Sequence, residues 1–354
     1  MTEASRPGGQ PSPPIPRVRL VDVAREAGLS KTTVSAALNG TGRLSPEVRE
    51  RARETARRMG YRPNATARRL RAGRARLIGY VVGEFADAPW TFLESPYFAR
   101  LTGATAATSL RRGYAVVLLP AGTLQGEWVD LSLDAVVVAD PVADDPVVED
   151  LLAAGIPVFS DRSVEGRAGA SWVDVDADAA VREVLDHLHG QGAGRPVLVV
   201  PDSSTRFHRE VRAAHRAWCA AHGLPELLVH VDAPGNGPVV EAVEHALAVA
   251  DGTERPDALF VVAEASPPLV LEAARRHRYR VPDDLLVVLV SEDATALHTD
   301  PPTTTLSLRP EAVAEAGVEH LVAVLEQGRR EPAGTLVATR LDVRASSLRS
   351  PRAG

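Results

Sequence analysis

Apolar residues in the N-terminal part of the chain recur with a helical period. The pattern runs from Leu20 to Leu38 and is interrupted once, at Gly28, which predicts two short helices joined by a tight turn. Ser45 and Pro46 predict the start of a third helix, because serine is a favoured N-cap and proline suits the first helical position. We therefore expect a small three-helix unit.

From Leu77 onward the pattern changes to short apolar runs that alternate with amphipathic helices. The runs cover residues 77–82, 115–119, 135–139, 156–159, 197–200, 227–231, 258–262 and 285–290. Their β-branched, two-sided apolar character is typical of buried parallel strands linked by right-handed helical crossovers. Eight such units exceed one compact sheet, so the prediction is an α/β body of two parallel-sheet lobes.

These patterns divide the 354-residue chain into four predicted segments. They are a disordered Pro-rich tail (1–17), the three-helix unit (18–62), a linker (63–76) and the body (77–354). Within the body we expect an N-lobe of residues 77–173 and 303–331, and a C-lobe of residues 174–302 and 332–350. The tail lacks the apolar core of a signal peptide, and no apolar run reaches the roughly 20 residues that span a bilayer, so a membrane protein is not expected.

Charge is distributed unevenly along the chain. Residues 1–76 contain 17 Lys and Arg against 6 Asp and Glu, an excess of 11 positive charges, whereas the remainder carries a net charge of −17. A basic head on an acidic body favours a polyanionic partner, because the head neutralises phosphates while the body suppresses nonspecific adhesion. The single cysteine, Cys219, excludes a disulfide framework and a cysteine-rich metal site and indicates a cytoplasmic protein.

The spacing of Ala24, Gly28 and Val34 is typical of a helix-turn-helix motif. Two helices that cross steeply need a small residue at their closest approach, a glycine for positive φ in the turn and a branched residue to lock the second helix. An ordinary helical hairpin is the alternative, but the basic surroundings and a Ser30 cap favour DNA binding. The second helix is predicted from about Lys31 to Leu38.

The exposed face of that second helix carries the predicted DNA contacts. Lys31 can donate to guanine O6 and N7, Thr32 can hydrogen-bond a base or touch a thymine methyl, and Ala36 can make only apolar contact. Thr33, Ser35 and Asn39 suit phosphate contacts, which position the helix without reading sequence.

The run Leu20–Gly40, followed by Ser45–Arg51 and Met59–Asn64, closely resembles the lactose-repressor/galactose-repressor family of bacterial regulators. Further motifs follow in family order at Leu77–Val82, Ser95–Phe98, Ala154–Val158, Tyr279–Asp284 and Pro301–Thr305. The resemblance implies a homodimer that binds a near-palindromic double-stranded operator, and a periplasmic-binding-protein-like body that holds a small-molecule effector between its lobes. The expected fold class is thus an all-α helix-turn-helix headpiece plus an α/β body of two parallel-sheet lobes.

The resemblance also implies that residues 63–76 form a hinge helix on DNA. Leu70 matches the leucine that wedges into the minor groove, where contacts made by the bent DNA offset the unstacking of a base step. Ala67 is the small residue that allows close approach; Leu70 as an ordinary apolar linker residue is the alternative. The full predicted DNA-binding set is Ser30, Lys31, Thr32, Thr33, Ser35, Ala36, Asn39, Tyr61, Asn64, Ala67 and Leu70.

The effector pocket is where the sequence departs from the family. Asp161 and Arg162 match its Asp-Arg pair, but Val211 and Ala233 stand where an arginine and a stacking aromatic are usual. Arginine and aromatic side chains are groups that bind sugars, so their loss indicates an altered sugar pocket. The expected effector is therefore either sugar-like or atypical, and a body that binds no effector is the alternative. The predicted effector-binding set is Asp161, Arg162, Arg209, Glu264, Ser291 and Glu292. Phe85, Trp90 and Phe92 are expected to cover the cleft or to pack against a dimer partner.

Two other classes of protein fit less well. An enzyme needs a convergent nucleophile, base or metal cluster, and the ten histidines are scattered, with no glycine-rich phosphate loop; no cofactor or metal is predicted. A secreted solute-binding protein shares the body fold but lacks a basic head. The sequence therefore predicts a non-enzymatic DNA-binding regulator, in the first instance a repressor.

Overall fold

The computed structural model describes residues 18–61, 75–83, 91–120, 131–142, 144–164, 170–233, 235–248, 255–328 and 334–349. The chain divides into two compact units, Met1–Ala75 and Arg76–Gly354. The predicted tail and nearly all of the predicted hinge, with Asn64, Ala67 and Leu70, lie outside the described residues, as do Phe85 and Trp90.

In residues 18–61, the described part of the first unit apart from Ala75, there are three helices, α1 (Leu20–Ala27), α2 (Lys31–Asn39) and α3 (Pro46–Arg58). Gly28 ends α1 with a φ of 63°, and the N–H of Leu29 donates to the Ala24 carbonyl across the turn at 3.0 Å. Glycine adopts this left-handed backbone conformation at low energy, which is why the chain can turn tightly at Gly28. The predicted three-helix unit is confirmed.

Small side chains form the core of this unit. The fully buried positions include Val23 of α1, Val34 of α2 and Ala52 of α3. Larger side chains, among them Leu29, Leu38, Leu44, Met59 and Tyr61, pack partly buried around them. Alanine and valine at the centre let the three helix backbones approach closely, which fixes the orientation of α2.

The second unit contains two six-stranded sheets. In the N-lobe the strand order is β11-β5-β4-β3-β1-β2, all parallel, with β1 (Leu77–Val82), β2 (Ala115–Leu118), β3 (Ala135–Ala139), β4 (Val158–Ser160), β5 (Ala170–Val175) and β11 (Gly334–Val337). In the C-lobe the order is β12-β10-β9-β8-β6-β7, with β6 (Pro196–Pro201), β7 (Leu227–Val231), β8 (Ala258–Val261), β9 (Leu286–Val290), β10 (Thr304–Ser307) and β12 (Arg340–Asp342). Only the pairing of β10 with β12 is antiparallel among these strands. The predicted fold class is confirmed.

Helices cover both sheets. The N-lobe carries α4 (Pro96–Arg111), α5 (Pro146–Ala153) and α10 (Pro310–Gln327), and the C-lobe carries α6 (Ala177–Gly190), α7 (Arg206–His222), α8 (Asn236–Ala248) and α9 (Pro267–Arg276). A Cβ at Gly317 of α10 would lie 2.0 Å from the Phe159 ring, so glycine allows this helix to rest on β4. Within the described part of the chain, no helix is both long and apolar enough to cross a bilayer.

Two predicted lobe boundaries are wrong. Residues 303–307 were assigned to the N-lobe, but β10 pairs with β9 and β12 in the C-lobe sheet. The segment from 332 was assigned to the C-lobe, but β11 pairs with β5 in the N-lobe sheet, where Gly334 leaves room for the Trp172 ring. The chain thus passes between the lobes after β5, after β10 and between β11 and β12.

Candidate nucleic-acid interface and interlobe cleft

The N-terminus of α2 presents a compact polar surface. Ser30 caps the helix: its Oγ accepts from the Thr33 N–H at 3.0 Å and lies 2.8 Å from the hydroxyls of both Thr32 and Thr33. Lys31 and Thr32 are exposed, as predicted for base-reading residues. The Ser30 cap and the buried Val34 hold this first turn in place, so Lys31 and Thr32 are exposed at a helix end whose backbone is fixed by packing and hydrogen bonding.

Other residues of the predicted DNA-binding set are less exposed. Thr33, Ser35 and Ala36 are half-buried, and the Ala36 carbonyl accepts from the Thr41 N–H at 3.0 Å in the turn after α2. Asn39 is the last residue of α2. Tyr61 is half-buried against the core, and its N–H donates to the Ala56 carbonyl at 2.9 Å.

Asp161 and Arg162, which follow β4, lie in a buried ionic network. The Arg162 guanidinium has 3.4, 3.6 and 3.9 Å contacts with carboxylate oxygens of Asp140, Asp161 and Asp174, respectively. Its Nη1 also donates to the Tyr97 hydroxyl at 3.2 Å and to the Asp161 carbonyl at 2.7 Å. Three carboxylates therefore surround one arginine that is 3% exposed.

The Asp161 carboxylate is held by two donors. It accepts from the Tyr97 hydroxyl at 2.9 Å and from the Asp140 N–H at 2.6 Å. Burial raises its pKa from 3.8 to about 6, against the opposing effect of Arg162. Burial without Arg162 would favour the neutral acid still more, so the arginine is what keeps this aspartate ionised.

The C-lobe covers Arg162 from the other side. The guanidinium carbon lies 4.9 Å from the centre of the Phe207 ring on α7, and the neighbouring His208 is buried with its Nδ1 2.8 Å from Thr205 Oγ1. Burial lowers the pKa of His208 to about 3, and Arg162 contributes in the same direction. His208 is therefore a neutral ring at neutral pH.

Glu264, three residues after the end of β8, makes another contact between the two lobes. Its carboxylate accepts from the Ser95 hydroxyl and, at 2.7 Å, from the Tyr97 N–H at the start of α4. The free N–H groups and dipole of a helix N-terminus favour such an acceptor. Burial raises the pKa of Glu264 from 4.5 to about 7.

Ser291 and Glu292 are occupied by contacts near the end of β9. Glu292 accepts from the Ser307 hydroxyl at 2.8 Å and from the Leu308 N–H at 2.9 Å, which ties β9 to the chain passing into the N-lobe. The Ser291 hydroxyl accepts from the Asp293 N–H at 3.1 Å. Both side chains serve the local structure of the junction.

The structure does not bring the whole predicted effector set together. Arg209 lies on the exposed face of α7, because the inward face is taken by Phe207, His208 and Val211. The expectation that Phe92 covers the cleft is wrong: its ring is buried 6.1 Å from the Tyr80 ring and 6.5 Å from that of Phe98.

Sequence reasoning missed Tyr97, Phe207 and His208 as neighbours of Arg162. Tyr97 lies in the Ser95–Phe98 motif, but no spacing rule links it to Arg162, 65 residues away. Only the fold brings α4, β4 and α7 to one place.

A cavity of about 580 Å³ opens beside this network at the junction of the lobes. Its wall includes Trp172, Asp174, Asp176, Arg206 and Leu336. Asp174 belongs to both the cavity wall and the Arg162 network, so the cavity reaches the edge of the ionic cluster. Among the described residues, no group of three or more histidine, cysteine or acidic side chains could hold a metal ion.

Known proteins share both parts of this architecture. Residues 19–64 match the family described as bacterial regulatory proteins, lacI family, and residues 185–347 match a periplasmic binding protein-like domain. The HTH-type transcriptional regulator CelR of Thermobifida fusca is 27% identical over 340 residues, which cover 93% of this chain and 98% of that protein. The HTH-type transcriptional regulator AglR of Rhizobium meliloti (strain 1021) is 33% identical over 222 residues, 60% of this chain and 61% of that protein.

Solved structures show the same fold. A lac repressor dimer bound to operator and the anti-inducer ONPF aligns with a TM-score of 0.77 at 18% identity, covering 94% of this chain and all of that one. A CelR–cellobiose complex aligns with a TM-score of 0.66 at 24% identity, covering 93% of this chain and all of that one. The sequence matches place residues 19–64 in the lacI family of bacterial regulatory proteins, and they show that the chain is a DNA-binding transcriptional regulator.

Proposed function

We propose that this regulator is a cytoplasmic homodimeric repressor that binds a near-palindromic operator through α2. The observation that carries the proposal is the capped N-terminus of α2, where Lys31 and Thr32 are exposed beside the Ser30 cap. In helix-turn-helix proteins the N-terminal residues of the second helix contact base edges in the major groove.

Each polar group at this helix end has a role in the proposed complex. Lys31 donates to guanine, and Thr32 contacts the adjacent base. Thr33, Ser35 and Asn39 contact phosphates, with Ala36 against a base or sugar and Tyr61 against the backbone. Asn64, Ala67 and Leu70 extend the contact into the minor groove, with Leu70 as the wedge.

Exposed apolar side chains on the N-lobe support a homodimer. β2 is an edge strand that leaves Leu118 47% exposed, and Leu110 near the end of α4 is 66% exposed. An apolar edge strand in contact with water is unfavourable, so a second copy of the chain is the expected cover. A two-fold symmetric dimer presents two α2 helices to two half-sites, which gives the operator its symmetry.

The proposed effector is a small polar molecule in the interlobe cleft near Asp161, Arg162 and Glu264, with Ser291 and Glu292 at its margins. One of the similar solved structures is a CelR–cellobiose complex, which makes a saccharide the first compound to test. Its binding would alter lobe closure and thereby DNA affinity, to the extent that it prefers one closure over the other.

A second candidate is a regulator of the same kind with no sugar effector. It is favoured because Arg162 already donates to Tyr97 and Asp161 and stacks on Phe207, so a sugar would have to displace these contacts. Calorimetric titration with cellobiose and common monosaccharides separates the two candidates: micromolar binding that changes operator affinity supports the sugar effector, and its absence supports the second candidate.

The proposed function is tested by selecting bound fragments from a fragmented bacterial genome and sequencing them. The proposal expects a motif with two-fold symmetry whose half-sites are about one helical turn apart, or a multiple of it. Sedimentation of the free protein should give about 75 kDa, twice the chain mass of 37.6 kDa. Bound fragments without a shared motif would contradict it.

A further inference from the structure

The Glu264 carboxylate reaches across the cleft to the N-terminus of α4. Ser95 is the N-cap of α4, and its hydroxyl donates to the Glu264 carboxylate while also accepting from the Phe98 N–H at 3.5 Å. Tyr97 N–H supplies the second donor at 2.7 Å. A C-lobe side chain thus satisfies an N–H group that the first turn of α4 would otherwise leave to water or a bound molecule.

Two further contacts across the same cleft involve no carboxylate. Val142 and Thr205 form an antiparallel backbone bridge, and the Arg162 guanidinium rests on the Phe207 ring. Of the three, the Glu264 contact is the one made by a carboxylate with the end of a helix. It is therefore a link between the lobes whose strength depends on the protonation of one carboxyl group.

We propose that Glu264 acts as a built-in substitute for an effector: it ties the N-terminus of α4 to the C-lobe and holds the lobes closed. Glu264 is a positioning residue here, since it sets the arrangement of the lobes and touches neither DNA nor a reacting group. The consequence for DNA affinity rests on the proposed function; the closure itself does not.

The charges around Glu264 make this contact sensitive to pH. Glu292 and Asp293, at the end of β9, face it and raise its pKa, while the donors Ser95 and Tyr97 on α4 lower it. Arg100 of α4 lies 3.9 Å from Glu292 and 3.4 Å from Glu311, so its charge is shared with those carboxylates. Burial outweighs both donors, and the pKa of Glu264 rises to about 7.

Protonation strengthens the closed state. A neutral Glu264 can donate its own O–H to Ser95 while its other oxygen still accepts from the Tyr97 N–H, so both hydrogen bonds survive without a buried charge. Opening the cleft returns the carboxyl to water and to its ordinary pKa of 4.5. Because the closed form binds the proton more tightly, closure is favoured at low pH and weakened as pH rises through 7. With pKa values of about 7 and 4.5, the closed-to-open ratio falls about tenfold between pH 6 and pH 8.

Hydrogen exchange of the full-length protein tests the proposal at the Tyr97 amide. Mass spectrometry of a peptide covering residues 92–101 at pH 6 and pH 8, corrected for intrinsic exchange, should show about tenfold less protection at pH 8. Glu264→Gln copies the hydrogen bonds of the neutral acid, so its protection should be equal at both pH values. Glu264→Ala should lose protection at both. Glu272→Gln, on the exposed face of α9, is the matched control and should follow the wild type.

Wild-type protection that does not change with pH, or protection in Glu264→Gln that still falls tenfold, would overturn the proposal. If Glu264→Ala fails to fold, the comparison of wild type with Glu264→Gln still decides it. Operator affinity measured on the same samples keeps the two hypotheses apart. pH-dependent closure without selective DNA binding contradicts only the proposed function, whereas selective DNA binding with pH-independent closure contradicts only the role of Glu264.

Discussion

Replacing Arg162 by methionine tests whether this residue is a structural centre of the body. The side chain is 3% exposed and is the cation closest to Asp140, Asp161 and Asp174 in the network described above. Methionine retains much of the volume and removes the charge and every donor. Three buried carboxylates are then left with no arginine between them.

The expected loss is large. Removing one partner of a buried ion pair destabilises a protein by about 3–5 kcal/mol, because the other charge remains buried and unpaired. The loss should depend on pH, since the pKa of Asp161 is already raised to about 6 with Arg162 present and must rise further without it. A folded-state pKa above the ordinary 3.8 means that the neutral acid is favoured, so stability is retained at low pH and lost as pH rises through the folded pKa.

Urea unfolding of the full-length protein, followed by fluorescence of Trp172 and Trp218 in the body, measures this loss. Arg162→Met should be destabilised by about 3–5 kcal/mol at pH 7.5 and by clearly less at pH 5. The double variant Arg162→Met with Asp161→Asn should regain part of the stability at pH 7.5. A loss below about 1 kcal/mol, or one equal at both pH values, would refute the argument that Arg162 holds the buried carboxylates together.

Further substitutions at Gly28, and at Leu118 with its control Leu336, test the headpiece turn and the proposed dimer. Gly28→Ala should destabilise the headpiece by about 1–2 kcal/mol in thermal unfolding, through its left-handed backbone alone, because an added Cβ meets no atom within 4 Å. Gly28→Asn should lose less, since asparagine enters that conformation more readily, and equal losses for both would contradict the reasoning. Leu118→Asp on the β2 edge should convert the proposed dimer to monomers in sedimentation velocity, whereas Leu336→Asp on the opposite edge strand should not; an unchanged dimer in Leu118→Asp would place the interface elsewhere.

Strands with continuous apolar runs were predictable, and strands with polar side chains were not. β1 and β3 stand out because every position is Leu, Ile, Val, Ala, Tyr or Gly. β10 was missed because Thr304 and Thr305 look like loop residues. The structure buries them, with the Thr304 hydroxyl donating to the Arg344 carbonyl at 3.0 Å. The hydrogen bond that allows a threonine hydroxyl to be buried here comes from a residue 40 positions away, so the sequence around Thr304 does not reveal it.

The headpiece was predictable nearly in full, and the cleft only in part. Ala24, Gly28 and Val34 act through local spacing, so one sequence window contains the whole motif. The network of Arg162 depends instead on α4 and α7, which lie far apart in the chain. Arg209 was predicted to bind the effector although no arginine falls in the family register, and in the structure the helix turns it outward while Phe207 takes the inward position.

If α2 reads DNA sequence, removal of its two exposed N-terminal side chains must abolish the preference for the operator. Fluorescence anisotropy should measure the affinity of wild type, Lys31→Ala with Thr32→Ala, and Arg53→Ala for a selected operator and for a scrambled duplex, at two salt concentrations. The wild type should prefer the operator by about a thousandfold or more. The double variant should lose that preference and keep weak, salt-sensitive binding, while Arg53→Ala, which removes one exposed charge from α3, should weaken both duplexes alike. A double variant that still distinguishes operator from scrambled DNA as the wild type does would contradict the account.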